Sequence, residues 1–185
     1  MLVTKYKLIF FFLLIFASSV SAEISQNKQL DYLFNKLSKT KDIYNAAIIE
    51  KKIWSIWHKH PNNLSLANKL ELGTKLMYQG DYIYALQIFN NIIKTDPYWS
   101  EVWNKRATLL FLMQEYKKSL NDIDEVLNLE PRHFGALSGK AQIYIKLQKY
   151  QKAINALKKA KKIYPIINSY KLVPSLKKLL KGQET

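Results

Sequence analysis

Apolar residues recur at helical spacing on both sides of Pro131. Before it stand Leu120, Ile123, Val126 and Leu127; after it stand Leu137, Ala141 and Tyr144. Proline lacks the N–H that a helix interior needs and clashes with the preceding turn. The spacing therefore predicts one helix that stops near Glu130 and a second that starts a few residues later. Upstream, Leu30, Leu33, Phe34 and Leu37 fall at i, i+3, i+4 and i+7, which predicts a helix over about Lys28–Leu37. Ala46, Ile49, Ile53, Ile56 and Trp57 share one side of a helix over about Asp42–His58. Asn62-Asn63 after Pro61 suits a turn and a helix cap, and Gly182 suits a helix stop. Val173-Pro174 favours an extended residue followed by a helix start, with Leu176, Leu179 and Leu180 on one face.

The connection at Pro131 is one of three. Pro97, Pro131 and Pro165 are evenly spaced, and Tyr82, Tyr116 and Tyr150 follow the same step. Leu76, Leu110 and Tyr144 share it, and so do Leu86, Leu120 and Ile154. A small column holds Ala85, Ser119 and Ala153, and a bulky one holds Phe89, Ile123 and Leu157. A period of roughly 34 residues marks a stacked array, in which a helix pair that cannot bury its apolar face alone shares a core with its neighbours. Gly73, Ala107 and Ala141 are small where the two helices of a copy would approach closely. Phe89, Ile123 and Leu157 would fill the space between neighbouring helices.

These columns resemble the tetratricopeptide repeat, W-x₂-L-G-x₂-Y…A-x₃-F…P. The copies span 66–99, with Leu72-Gly73 and Ala85-x₃-Phe89; 100–133, with Trp103, Ala107 and Ser119-x₃-Ile123; and 134–167, with Leu137, Ala141 and Ala153-x₃-Leu157. Lys69 stands where tryptophan is typical, and Arg106 and Lys140 where leucine is typical. The run from Arg106 to Gly139, RATLLFLMQEYKKSLNDIDEVLNLEPRHFGALSG, resembles a group of short secreted tetratricopeptide proteins of alphaproteobacteria. The resemblance implies an all-α fold, a right-handed α-solenoid of helix-turn-helix units with N- and C-terminal capping helices. On this reading 23–63 is a divergent helix pair that covers the first repeat, 64–167 is the array, and 168–185 is a basic capping helix.

Composition narrows the chemistry. The chain has 185 residues, five glycines and five prolines, which disfavours a loop-rich β fold. It has no cysteine, so disulfides, thiolate metal sites and cysteine nucleophiles are excluded. Lys5 and Lys7 precede the apolar run LIFFFLLIFA, Leu8 to Ala17, and SSVSA follows with Val20 and Ala22 at the −3 and −1 places. This is the pattern of a secretory signal over 1–22, and the run is short for the roughly 30 Å of hydrocarbon in a bilayer. Export to the periplasm of a Gram-negative bacterium is the expected location, with an uncleaved anchor as the alternative.

The net charge of +15 is uneven. Residues 132–185 hold 13 Lys or Arg and one acid, whereas 62–131 hold seven and nine. A basic end points to nucleic acid, an anionic membrane surface or an acidic partner. Secretion makes nucleic acid the poorest of these, and 27 lysines against two arginines lack the forks that phosphate recognition uses.

No enzyme signature is found. His58 and His60 at i and i+2 point about 200° apart on a helix, which suits surface side chains better than joint metal binding. His133 stands alone in the turn after Pro131, and the glycines fall in no phosphate-loop spacing. Asp122, Asp124 and Glu125 read as a wet helix face, with Lys118 at i−4 from Asp122. No cofactor or metal is expected.

A binding surface remains. In tetratricopeptide arrays the first helix of each repeat lines a groove for a peptide or partner helix. Carried over by position, the groove includes Tyr78, Asn104, Thr108 and Gln142, with Arg132 in a turn. The amides and hydroxyl would bond a peptide backbone, and Arg132 would pair with a carboxylate. The lysine and asparagine clamp of chaperone-binding arrays is not matched, so no cytosolic co-chaperone role is implied. The competing reading places anionic lipid or a polyanion on Lys158, Lys159, Lys161, Lys162, Lys177, Lys178 and Lys181. The exported chain is expected to begin at Glu23; its intact mass checks this, and a membrane-bound chain still carrying Met1 overturns it.

Overall fold

The structure is a computed structural model that describes residues 24–182. The expected leader, its cleavage site and the last three residues lie outside the described residues. Helix α1 runs through 24–39. It is followed by α2 (Ile43–Trp57), α3 (Leu64–Gln79), α4 (Tyr82–Thr95), α5 (Ser100–Leu112), α6 (Tyr116–Leu129), α7 (Phe134–Lys146) and α8 (Tyr150–Ile163). A short 3₁₀ turn, Asn168–Leu172, leads into α9 (Val173–Lys181). No strand occurs among the described residues. The fold is an α-solenoid of three helix-turn-helix repeats, α3–α4, α5–α6 and α7–α8.

Local chemistry sets the boundaries. Asp42 caps α2 by accepting from the Asn45 N–H at 2.7 Å, and Asn63 caps α3 by accepting from Leu66. Helices α4, α6 and α8 each stop just short of a proline. The residues between, Asp96, Glu130 and Tyr164, are extended at φ −139°, −135° and −128°, as a residue before proline must be. The turn inside each repeat needs a left-handed residue. Gly80 supplies it at φ 90°, while its equivalents in the next two copies, Gln114 and Gln148, adopt it at 61° and 55°. Glutamine bears a steric cost there that glycine does not. Pro174 sits in the first turn of α9, where its missing N–H is harmless.

Packing follows the columns. Ala85, Ser119 and Ala153 are fully buried, and Phe89, Ile123 and Leu157 are at most 3% exposed. A methyl group on Gly73 would lie 2.7 Å from the Phe89 ring, so α3 and α4 can meet only over a glycine. The buried Ser119 hydroxyl donates to the Ala107 carbonyl at 2.7 Å, which ties α6 to α5.

The atypical residues of the repeat are used between helices. Arg106 forks onto Asp122 with two bonds of 2.7 Å and reaches Asn90 of the preceding repeat at 2.8 Å. Lys140 reaches Asp124 of its own preceding repeat. Asn90 and Asp124 are equivalent positions of successive copies, as are Arg106 and Lys140, so one cross-repeat contact occurs twice. This corrects the wet-face reading of Asp122, which is buried; Lys118 pairs instead with Glu115 at 3.3 Å.

Two further expectations change. Leu179 is half exposed, because α9 buries Val173 and Leu176 and turns Leu179 outward. The N-terminal pair does not stack in front of the first repeat. Its core residues Leu30, Leu33, Phe34, Leu37, Ala46, Ile53 and Trp57 cluster with Phe134, the first residue of α7, and Tyr164, just after α8. The pair therefore lies along the edge built by the inter-repeat turns. The leading face of α3 stays open: Leu72 is 50% exposed, whereas the side chains of Arg106 and Lys140, its equivalents, are 19% and 22% exposed.

Ala107→Leu places a bulky side chain where α5 meets α6 and is expected to cost about 1–3 kcal/mol. Lys118→Leu, a change of bulk on an exposed turn of α6, is expected to cost little. Thermal or urea melts of the two variants check this, and equal melts would overturn the assigned register.

Candidate partner-binding groove

Helices α3, α5 and α7 lie side by side as the first helices of the three repeats. Their residues at the second and fifth places of each repeat carry the groove in the second and third copies: Glu101 and Asn104, then Gly135 and Ser138. The structure shows Glu101 met by His58 and Gly135 covered by Trp54 of the N-terminal pair, while Asn104 bonds to Glu101 and Ser138 to Ser169.

Glu101 has no exposed surface. Its Oε2 lies 3.2 Å from His133 Nε2 and accepts from the Asn104 amide at 3.1 Å. Its Oε1 makes ion-pair contacts alone, 3.2 Å from His58 Nε2 at the end of α2 and 3.2 Å from Lys105 Nζ. Burial pushes this carboxyl up. The His133 hydrogen bond and the nearby Lys105 ammonium outweigh it and hold Glu101 below the ordinary carboxylate range.

His133 is fully buried beneath Trp57, with ring centroids 4.0 Å apart and planes 8° from parallel. Its Nδ1 accepts from the Ala136 N–H at 3.0 Å and so caps α7. Trp54 meets the His133 and Phe134 rings edge-on. It lies so close to α7 that a methyl group on Gly135 would be 2.5 Å from its ring. Trp99 donates from its indole N–H to the Trp57 carbonyl at 2.9 Å. His60 holds Asp96 at 2.7 Å, and this hydrogen bond keeps the Asp96 carboxyl below its usual range.

Several sequence expectations are thereby corrected. His133 is not alone in its turn but is the buried centre of the junction. His58 and His60 are not idle surface side chains, since each pairs with a carboxylate of the array. Asn104 is buried and its amide donates to Glu101. Arg132 is also committed. It forks onto Glu130 with bonds of 2.8 and 2.9 Å, reaches Asp31 of α1 at 2.6 Å, and lies 4.5 Å over the Phe34 ring. The Glu130 hydrogen bonds raise the Arg132 pKa further. Spacing within the chain could not reveal this, because Asp31 stands in α1, ahead of the array, and Arg132 at the end of its second repeat, and the two meet once.

The other half of the groove is open. Thr108 and Gln142, equivalent positions of the second and third copies, are exposed, although Thr108 also bonds back to the Asn104 carbonyl at 3.0 Å. One turn on, Tyr78 is 75% exposed and Leu112 41%, with Lys146 exposed at the equivalent place of the third copy. Leu112 and Lys146 were missed in the sequence, yet stepping one repeat at a time from Tyr78 points straight to them. The basic end is exposed throughout: Lys158, Lys159, Lys161 and Lys162 on α8, and Lys177, Lys178 and Lys181 on α9. Among the described residues, no group of three His, Asp or Glu is placed to hold a metal ion.

A family model described as "Anaphase-promoting complex, cyclosome, subunit 3" matches residues 62–160, the whole array up to the last turn of α8. This chain belongs to the tetratricopeptide-repeat family. A TPR repeat-containing protein of Rhizobium etli is 36% identical over 117 residues, covering 63% of this chain and 57% of that protein. A tetratricopeptide repeat protein 36 homolog of Nematostella vectensis is 27% identical over 63% of this chain and 64% of its own length. The chain thus spans less than two thirds of these relatives. Among solved structures, the first TPR of Spaghetti (RPAP3), bound to the HSP90 peptide SRMEEVD, superposes with a TM-score of 0.59 at 20% identity. It covers 66% of this chain and 95% of its own. A tetratricopeptide repeat protein of Parabacteroides merdae gives 0.59 at 24% identity over 85% of this chain and 62% of that one. These likenesses carry the fold, and tetratricopeptide proteins are typically interaction scaffolds.

Glu101→Gln is expected to cost about 3 kcal/mol at neutral pH, because it takes the charge out of a buried ion-paired cluster. The folded pKa of Glu101 lies below its unfolded value. Its contribution is therefore complete above the ordinary carboxylate range and is lost as pH falls through the folded pKa. The stability gap between wild type and variant should narrow in acid. Urea melts of both proteins across the acidic range check this, and a constant gap would overturn the assignment of charge.

Proposed function

We propose that this protein is a non-enzymatic adaptor that holds a segment of a partner protein along the open half of its groove. The observation that carries the reading is the double row of exposed side chains on α5 and α7 and at the end of α3. Thr108 and Gln142 form one row, and Tyr78, Leu112 and Lys146 the other, each advancing by one repeat. An extended or helical segment crossing the three helices would meet amide, hydroxyl and apolar side chains in register. The HSP90 peptide bound to the first TPR of RPAP3 supports peptide binding by an array of this fold. The leader pattern of residues 1–22 supports a periplasmic place of work, on the sequence reading alone.

A second reading has its own observation. The seven lysines of the basic patch are all exposed on α8 and α9, which favours peripheral contact with an anionic surface. Such contact would be weakened by salt, whereas a groove that binds through apolar and neutral groups would be largely indifferent to it.

The combined change Tyr78→Ala, Leu112→Ala and Gln142→Ala touches only exposed positions, so stability should stay within about 1 kcal/mol of wild type. Crosslinking in the native envelope identifies the partner, and the variant should recover it at least about tenfold less well. Undiminished recovery by the folded variant would overturn the groove. Replacing Lys158, Lys159, Lys161 and Lys162 with glutamine should reduce only salt-sensitive association.

A further inference from the structure

Beyond the groove, the diverted N-terminal pair creates a second concavity. Between α2, the start of α7 and the segment that follows α8 lies a cleft of about 750 Å³. Its size falls in the range of sites that enclose a small ligand or a few side chains. Its walls are largely apolar and include four rings, Trp54, Phe134, Tyr164 and Tyr170, with Ile167 beside them and Ile43 at the mouth.

The walls are held in place. Glu50 accepts from the Trp54 indole N–H at 3.4 Å and from the Tyr164 hydroxyl at 3.2 Å, so one carboxylate fixes two of the rings. Tyr164 is also packed edge-on against Phe134. Lys161 sits 4.0 Å over the Tyr170 ring. Ser138 and Ser169 join the two sides of the cleft at 3.0 Å. Gly135 leaves room for Trp54 to lie on α7.

The charge around this cleft is one-sided. Lys41 and Lys171 line it and are exposed. From Pro131 to Gln183 the sequence contains no aspartate or glutamate, so α7, α8, the 3₁₀ turn and α9 contribute no carboxylate. Among the described residues Glu50 is the only acid lining the cleft, and both of its oxygens accept from the aromatic walls. Asp42 stands next to Lys41 but is turned to the Asn45 N–H as the cap of α2. An apolar floor under a cationic rim is complementary to an apolar side chain flanked by negative charge.

We propose that the cleft between α2 and α7 is a second docking site, which takes an acidic peptide segment by one or two aliphatic or aromatic side chains. The proposal rests on the adaptor reading and names what part of a partner this surface would accept. The apolar side chain enters among Trp54, Phe134 and Tyr164, and the flanking carboxylates meet Lys41 and Lys171. A lipid headgroup or sugar polyanion is the poorer fit, because Trp54, Phe134 and Tyr164 favour an apolar side chain and the hydroxyls of Ser138 and Ser169 bond to each other.

The test uses the exported chain and three blocked hexapeptides: Asp-Glu-Leu-Leu-Glu-Asp, Asp-Glu-Ser-Ser-Glu-Asp and Lys-Arg-Leu-Leu-Arg-Lys. Binding is read by calorimetry and by the indole resonance of Trp54. The first peptide is expected to bind and to shift that resonance, with the other two at least about tenfold weaker. Lys41→Glu with Lys171→Glu, and separately Ile43→Ser, change exposed positions and are expected to weaken the first peptide by about tenfold or more without lowering the melting temperature. The Tyr78, Leu112 and Gln142 alanine variant should bind it unchanged. The cleft proposal is overturned if the first peptide does not bind at millimolar concentration, or if the groove variant rather than the cleft variants abolishes binding. It is equally overturned if phosphatidylglycerol vesicles bind in a Lys41- and Lys171-dependent way while the peptide does not. If the cleft peptide fails while the groove variant loses the crosslinked partner, the adaptor reading stands and the cleft proposal alone falls.

Discussion

A carboxylate with no exposed surface constrains everything around it. Moving such a charge out of water costs several kcal/mol unless cations and donors close over it. For Glu101 those groups come from three separate stretches: Lys105 and Asn104 from α5, His133 from the turn before α7, and His58 from the end of α2. The stretches must converge for the charge to be tolerated. The flat stack of Trp57 on His133 then fixes α2 sideways as well as lengthwise. One buried group thus decides that the N-terminal pair lies along the turns rather than in front of the first repeat.

That placement has two opposite consequences for binding. It covers the beginning of α5 at Glu101 and lays Trp54 over Gly135 of α7. It also leaves the later turns of the same helices clear, and it builds a new wall, α2, opposite the start of α7. The array presents a shortened groove and an added cleft instead of one continuous channel. A segment lying across Tyr78 and Leu112 and another entering between Trp54 and Tyr164 would use different residues, so the two surfaces can be occupied by parts of one partner.

The repeat was legible in the sequence because its packing is local and periodic. A small residue at Gly73, Ala107 and Ala141, a bulky one at Phe89, Ile123 and Leu157, and a proline after each second helix all recur at one step. Each satisfies the same contact in its own copy. The left-handed turn inside each repeat was not read from the sequence: Gly80 supplies it in the first copy, and Gln114 and Gln148 adopt it with no glycine to mark the place. The junction was not legible. Its pairs, Asp31 with Arg132 and Glu50 with Tyr164, join distant parts of the chain and occur once each. No period repeats them, and on the page Arg132 and Asn104 look like free polar side chains. Helical spacing did place Trp57 on the buried side of α2. It gave no sign that this side faces His133, at the very end of the second repeat.

The distribution of charge completes the argument. Four acids of the array are each matched within the fold: Glu101 by Lys105, His133 and His58, Asp122 by Arg106, Asp96 by His60 and Glu130 by Arg132. These acids therefore contribute little outward field. The lysines of α8 and α9 have no such partners in sequence reach, since no acid lies between Pro131 and Gln183. The outward field of the described chain is positive at that end, beside the cleft, and falls away toward the open leading face of α3. An acidic partner would be drawn first to α8 and α9 and would meet the cleft before the groove. The apolar rings of Trp54 and Tyr164 would then decide, by fit rather than by charge, which of the partners drawn there stays.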